Sequence, residues 1–257
     1  MRFVEHLVEF RNRLVVSIVG IALGMVVGWL LTGPALDAMR VPIARIAEGR
    51  TGGASINFTN VTSAFDIRLQ MALTLGVVVS SPVWLYQAWM FLMPGLKRNE
   101  RLYALGFLGS AIPLFLAGCW TGWSLMPRIV ELMASFAPAQ DTVFFDAKYY
   151  YTFVLQLCLA VGVAFVVPVL LVMLNFAGVL SGRTILRSWR MAILGTALFA
   201  AIATPAADVL SMFLLMLPML ALYFAAVGIA LLNDRRRARR EARAQRAYER
   251  ELRGEGA

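Results

Sequence analysis

Apolar residues along this chain come in six long runs, separated by short polar stretches that carry most of the charge. The runs extend from Leu14 to Leu31, Leu69 to Met93, Tyr103 to Met126, Thr152 to Leu174, Met191 to Ala203 and Val209 to Leu232. Crossing a hydrocarbon core of about 30 Å takes about 20 helical residues, so five runs are long enough and the fifth is short. Flanking residues or a locally thinned bilayer would have to complete that span. The pattern predicts an all-α integral membrane protein: a kinked, concave bundle of six helices over residues 1–232, followed by a basic tail, 233–257. The first run ends at Gly33-Pro34. Pro82, Pro113, Pro168 and Pro218 inside later runs mark expected kinks.

Loop charge sets an orientation. Eighteen Lys and Arg fall on the side that holds both termini, and six on the other. The excess places both ends in the cytoplasm. The outer loops, from about Thr32 to Arg68 and Pro127 to Tyr151, are long, whereas the inner ones are short and basic.

Composition agrees with this picture: 60% of the 257 residues are hydrophobic and 15% charged, against about 45–50% and 25% in soluble domains. The net charge of +9 is largely a property of the tail, whose 25 residues hold nine arginines. A basic run beside a span reads as a topology signal and an anionic-lipid contact rather than a nucleic-acid site. Cys119 and Cys158 lie in apolar runs without metal or redox spacing, and read as packing residues.

None of the six runs contains Asp, Glu, Lys, Arg or His, and the one histidine, His6, precedes the first. Ion-coupled transporters place ionisable groups at membrane depth. No GxSxG, P-loop or HExxH motif is present, so the chain does not read as an enzyme and no cofactor or metal is implied. A six-span transporter of a neutral substrate and a non-catalytic scaffold stay open on these grounds.

The informative polar residues sit at the inner edge. Phe3, Leu7, Phe10 and Leu14 share one face of a helix that runs into the first span, and Glu9 and Arg13 are i,i+4 neighbours off that face. Glu100 lies among Lys97, Arg98 and Arg101 in the first inner loop. Each carboxylate reads equally as half of a surface ion pair or as an acceptor for a partner's guanidinium.

The order of four blocks narrows the choice. His6-Leu7-x-Glu9-x-Arg11-x-Arg13 resembles the HLxELRxR signature of the TatC family, with Phe10 for the usual Leu. Ser81-Pro82-Val83-x-x-Tyr86-Gln87-x-Trp89-x-Phe91-x-x-Pro94-Gly95-Leu96, followed by Glu100-Arg101, is similar to its second-span and first-loop motif. Ala164-Phe165-Val166-Val167-Pro168 stands at its fourth-span motif, and Thr204-Pro205 with Asp208 and Ser211 resembles the turn between its last spans. Val166 replaces the family's usual acid, and Leu102 a frequent basic residue.

The resemblance implies the core receptor subunit of the twin-arginine translocase in a bacterial cytoplasmic membrane. Such a subunit binds signal peptides with consecutive arginines at the cytoplasmic face and helps export folded proteins with the proton-motive force. It further implies Glu9 and Glu100 as arginine-recognising carboxylates, with Phe91, Arg11, Arg13 and Arg101 shaping the site. Single-span TatA/TatB-type partners would dock around Thr204, Pro205, Asp208, Ser211 and Met212, in a hetero-complex holding several copies of this chain.

Overall fold

The computed structural model describes residues 3–92, 100–138, 140–203 and 209–252. In hydrocarbon, backbone N–H and C=O groups must be satisfied within the segment, so the apolar runs fold as helices. In order, the elements are α1 (Phe3–Glu48), β1 (Ala54–Asn57), α2 (Ser63–Val79), α3 (Ser81–Leu92) and α4 (Glu100–Ser135). They continue with β2 (Val143–Asp146), α5 (Ala147–Phe176), α6 (Gly182–Arg187), α7 (Trp189–Ala203) and α8 (Val209–Leu252).

Among the described residues, four helices are long and apolar enough to cross a membrane, within 7–48, 106–135, 147–176 and 212–249. The pair α2–α3 makes a fifth crossing if the two are one span, bent by 62°. The 15 residues of α7 reach about 22 Å, and the expected count of six is met only by adding this short helix.

The first run does not end its helix at Gly33-Pro34: α1 has 46 residues, about 69 Å, and passes through Pro34 and Pro42. An interior proline costs a helix about 3 kcal/mol. Here Met39, Ile43 and Ile46 are buried beyond it, packed with Ile67, Met71, Met126 and Tyr151, and this burial offsets the loss. Helices α4, α5 and α8 likewise run on through Pro113, Pro168 and Pro218.

One feature departs from the all-helical expectation. Strands β1 and β2 pair in parallel, Ala54 opposite Val143 through Asn57 opposite Asp146, and tie together the segments after α1 and before α5. Nearby, Arg50 donates to the carbonyls of Ala134 (2.7 Å), Ala137 (3.0 Å) and Pro138, tying the chain just after α1 to the end of α4 and the turn after it. Asp146 caps α5: its Oδ1 accepts from the Tyr149 N–H at 2.9 Å and its Oδ2 from the Thr59 hydroxyl at 2.8 Å. Those bonds, the Tyr149 one foremost, hold the Asp146 carboxyl below its ordinary pKa.

Glycines set the closest helix contacts. A Cβ on Gly24 would lie 2.5 Å from the Gly76 carbonyl oxygen, and one on Gly28 2.4 Å from that of Ala72, so α1 and α2 meet backbone to backbone. Gly118 and Gly122 on α4 likewise meet the backbone of α5, at Val161 and Cys158. Outward, α1 leaves Val15, Ile18, Val19, Leu23, Val26 and Leu30 exposed, a surface suited to lipid.

A polar knot joins α8 to the turn after α5. Buried Asn175 donates through Nδ2 to the Leu180 carbonyl (2.9 Å) and to Asp234 Oδ1 (2.8 Å), and accepts at Oδ1 from Asn233 (3.0 Å). The other Asp234 oxygen accepts from the Gly182 N–H at 2.7 Å.

Candidate functional site

The site begins with the i,i+4 geometry of the α1 N-terminal turns. Arg13 donates through Nε (2.9 Å) and Nη2 (2.5 Å) to Glu9 Oε1, and its Nη1 lies 3.4 Å from Gln87 Oε1 on α3. Both side chains are largely sheltered, with 21% exposure for Arg13 and 22% for Glu9. Among the described residues, Glu9 Oε2 makes no hydrogen bond. The carboxylate therefore keeps one face open to a further donor.

Helix α3 reaches this place because α2 breaks at Ser80. Pro82 has no N–H to continue the ladder, and the chain turns by 62°. The Trp84 indole donates to the Val77 carbonyl at 2.9 Å, satisfying an acceptor at the break. Edge-on packing of Trp84 against Phe115, at 5.3 Å, fixes the start of α3 on α4. The next turns of α3 then set Gln87 beside Arg13, and Phe91 beside Phe10 with ring centroids 5.1 Å apart.

Behind the ion pair lies a cleft of ≈ 480 Å³ between α1, α3 and α5. Its walls are Phe10, Leu14 and Ile21 from α1, Trp84, Ala88 and Phe91 from α3, and Leu159 and Val163 from α5. Arg13 and Gln87 are the long polar side chains on the lining, with Ser17 between. Along α1 it extends from Phe10 to Ile21, about 16 Å. Glu9 is not on this lining and adjoins it through Arg13; a carboxylate placed beside an apolar groove can take a cation that is followed by an apolar segment.

Of the residues expected from sequence, Glu9, Arg13 and Phe91 come together here. Arg11 is exposed and turned to Asn12 Oδ1, 3.4 Å from Nε and 3.3 Å from Nη2. Glu100 and Arg101 begin α4, and their side chains lie outside the described residues, as does that of Ser211. Thr204, Pro205 and Asp208 lie outside them altogether. Met212 packs partly buried against the cluster of Leu157, Val161, Phe165 and Leu215. Val166 is 6% exposed, in an apolar cluster with Leu85, Trp89, Phe107 and Phe115. From sequence, Gln87 stands out only as part of the second-span motif. Its place one turn before Phe91 was the available signal that both face one cleft.

Residues 5–218 match the family model described as Sec-independent protein translocase protein (TatC). The chain is similar to the TatC protein of Xylanimonas cellulosilytica, 46% identical over 238 residues, covering 93% of this chain and 86% of that one. It is 37% identical over 244 residues to the TatC of Rothia mucilaginosa, covering 95% and 83%. A crystal structure of the twin-arginine translocase receptor TatC, solved in the detergent DDM, superposes with a TM-score of 0.76 at 26% identity. That match covers 88% of this chain and 99% of the other. The resemblance read from four sequence blocks thus extends over residues 5–218, and the chain belongs to the TatC family of Sec-independent protein translocase proteins.

Proposed function

We propose that this chain is the core receptor subunit of a twin-arginine translocase, binding twin-arginine signal peptides at the cytoplasmic face. The observation that carries the reading is the sheltered Glu9 carboxylate, with one oxygen open, held by the Arg13 that lines an apolar cleft. Guanidinium is planar, always charged and only weakly hydrated, so it can share a carboxylate that Arg13 already holds from one side. Two consecutive arginines call for two carboxylates, and Glu100 is the second in this proposal. The apolar part of the signal would then follow α1 along the cleft.

The wider role rests on family membership. Folded cargo is exported with energy from the proton-motive force, in company with TatA/TatB-type single-span proteins, which dock near Met212 and the segment before it. The chain works as several copies in a hetero-complex in the bacterial cytoplasmic membrane, with both termini inside and no chemistry of its own. The distribution of Lys and Arg supports that orientation. Arg235 and Arg236, beside the last span, supply a topology signal and contacts to anionic lipid.

The test is binding of a twin-arginine peptide and its twin-lysine version to the protein in nanodiscs, with Glu9→Ala and Glu100→Ala alongside. A preference for arginine that both variants lose supports the assignment. Binding that is equal for the two peptides, or unchanged in both variants, overturns it.

A further inference from the structure

Past Leu232 the last helix continues without interruption to Leu252, although its apolar run has ended. Residues 235–249 of this extension are exposed on every side. Arg235, Arg239, Arg243 and Arg246 recur at i, i+4, i+8 and i+11, which places them within an arc of about 80°. Of the described acidic residues of the same helix, Glu249, three residues after Arg246, borders this face but makes no ion pair with it, and the other two are engaged elsewhere. Asp234 is engaged by Asn175 and the Gly182 N–H, and Glu241 pairs with Arg237 on the far side at 3.1 Å. Among the described residues, no ion pair reaches the four arginines.

Three observations define what such a face can hold. The extension has alanines rather than an apolar stripe, so it is not built to lie in a membrane surface. Its root is fixed by the polar knot at Asn175, so it leaves on the axis of the span. At 1.5 Å per residue, Arg246 stands about 21 Å beyond Leu232, more than twice the distance over which salt screens a charged lipid surface. Lipid headgroups therefore account for the first arginines and not for the outer ones.

We propose that the arginine face of this arm binds an acidic helical segment of a partner protein. Guanidiniums repeating about once per turn match carboxylates at i,i+4 spacing on a second helix, and their fork geometry suits carboxylate oxygens. This proposal stands apart from the signal-peptide reading, since it involves neither Glu9 nor the cleft.

The test uses full-length protein in phosphatidylcholine nanodiscs and a fluorescent alanine-based helical peptide with Glu at i, i+4, i+8 and i+11, followed by anisotropy. Two variants are compared with the native chain: one with all four arginines changed to Gln, and one whose tail keeps its composition but spreads its arginines around the helix. Circular dichroism checks that both retain their helix. The expected result is binding by the native protein that weakens from 50 to 300 mM salt, and at least ~10-fold weaker binding by both variants. Equal binding by the rearranged tail would reduce the effect to net charge and overturn the proposal. So would absence of peptide binding, or loss of it when phosphatidylglycerol in the nanodisc captures the arm.

Discussion

Arg13 delivers two N–H groups to one oxygen of Glu9 and leaves the other oxygen of that carboxylate open. The pair is a holder as well as a salt bridge: it fixes the Glu9 carboxylate against Arg13, which reaches Gln87 with another of its nitrogens. Partly exposed pairs of this kind contribute at most about 1 kcal/mol to folding. Charge-assisted bonds to a ligand are stronger, about 1.5–3 kcal/mol.

Glu9→Gln should therefore separate binding from stability. The melting temperature in nanodiscs is expected to change little, while affinity for a twin-arginine peptide falls roughly 10- to 100-fold. A variant that melts much earlier and binds in proportion to its folded fraction would make Glu9 a structural residue.

The α1–α2 contact should be intolerant of a single methyl group. Gly76→Ala would set a Cβ 2.7 Å from the Met25 nitrogen and force the helices apart, at about 1–3 kcal/mol. Gly33→Ala meets nothing within 4 Å and should be neutral or stabilising by up to about 1 kcal/mol. Thermal unfolding of the two variants side by side checks the contrast.

Val166 sits in a closed apolar cluster, so Val166→Glu should destabilise the protein by about 3 kcal/mol and leave the acid protonated at neutral pH. A melt unchanged from pH 6 to pH 8, together with a lower melting temperature, is the expected signature. Wild-type stability in this variant would mean that water or a partner reaches the cluster.

Asp146 gives the outer cap an acid sensitivity. Its folded pKa lies below the ordinary 3.8, so its contribution is complete above that value and fades as pH falls from there through the folded pKa. Asp146→Asn keeps an oxygen for the cap but cannot titrate. Its loss of melting temperature on acidification below pH ~4 should be shallower than that of the native chain, and identical slopes would remove Asp146 from the acid response.

How much of this was legible before the fold was known follows from the range of each signal. Hydropathy located the apolar runs, because an uncharged stretch of Val, Leu and Ile has one stable form in lipid. It stopped at the membrane edge, so it missed that α1 continues to Glu48 and α4 to Ser135 on the strength of buried residues such as Met39 and Val130. The β1–β2 pair was out of reach: four residues on each side, paired in parallel across the three intervening helices, leave no local period. At the site, the Glu9–Arg13 pair was readable from its i,i+4 spacing. The Arg13–Gln87 approach joins positions 74 residues apart, and the α5 wall at Leu159 and Val163 is more distant still.

The knot at Asn175 gives the molecule a mechanical linkage. Asp234, at the root of the arm, divides its two oxygens between Asn175 at the end of α5 and the first N–H of α6. Tyr223, further back on α8, donates to the Ile185 carbonyl within α6 at 2.5 Å. A load on the arm is thus passed on through these bonds. It is transmitted to α6 at Gly182 and at Ile185, and from there to the short helix α7, of which only Ala200 is fully buried.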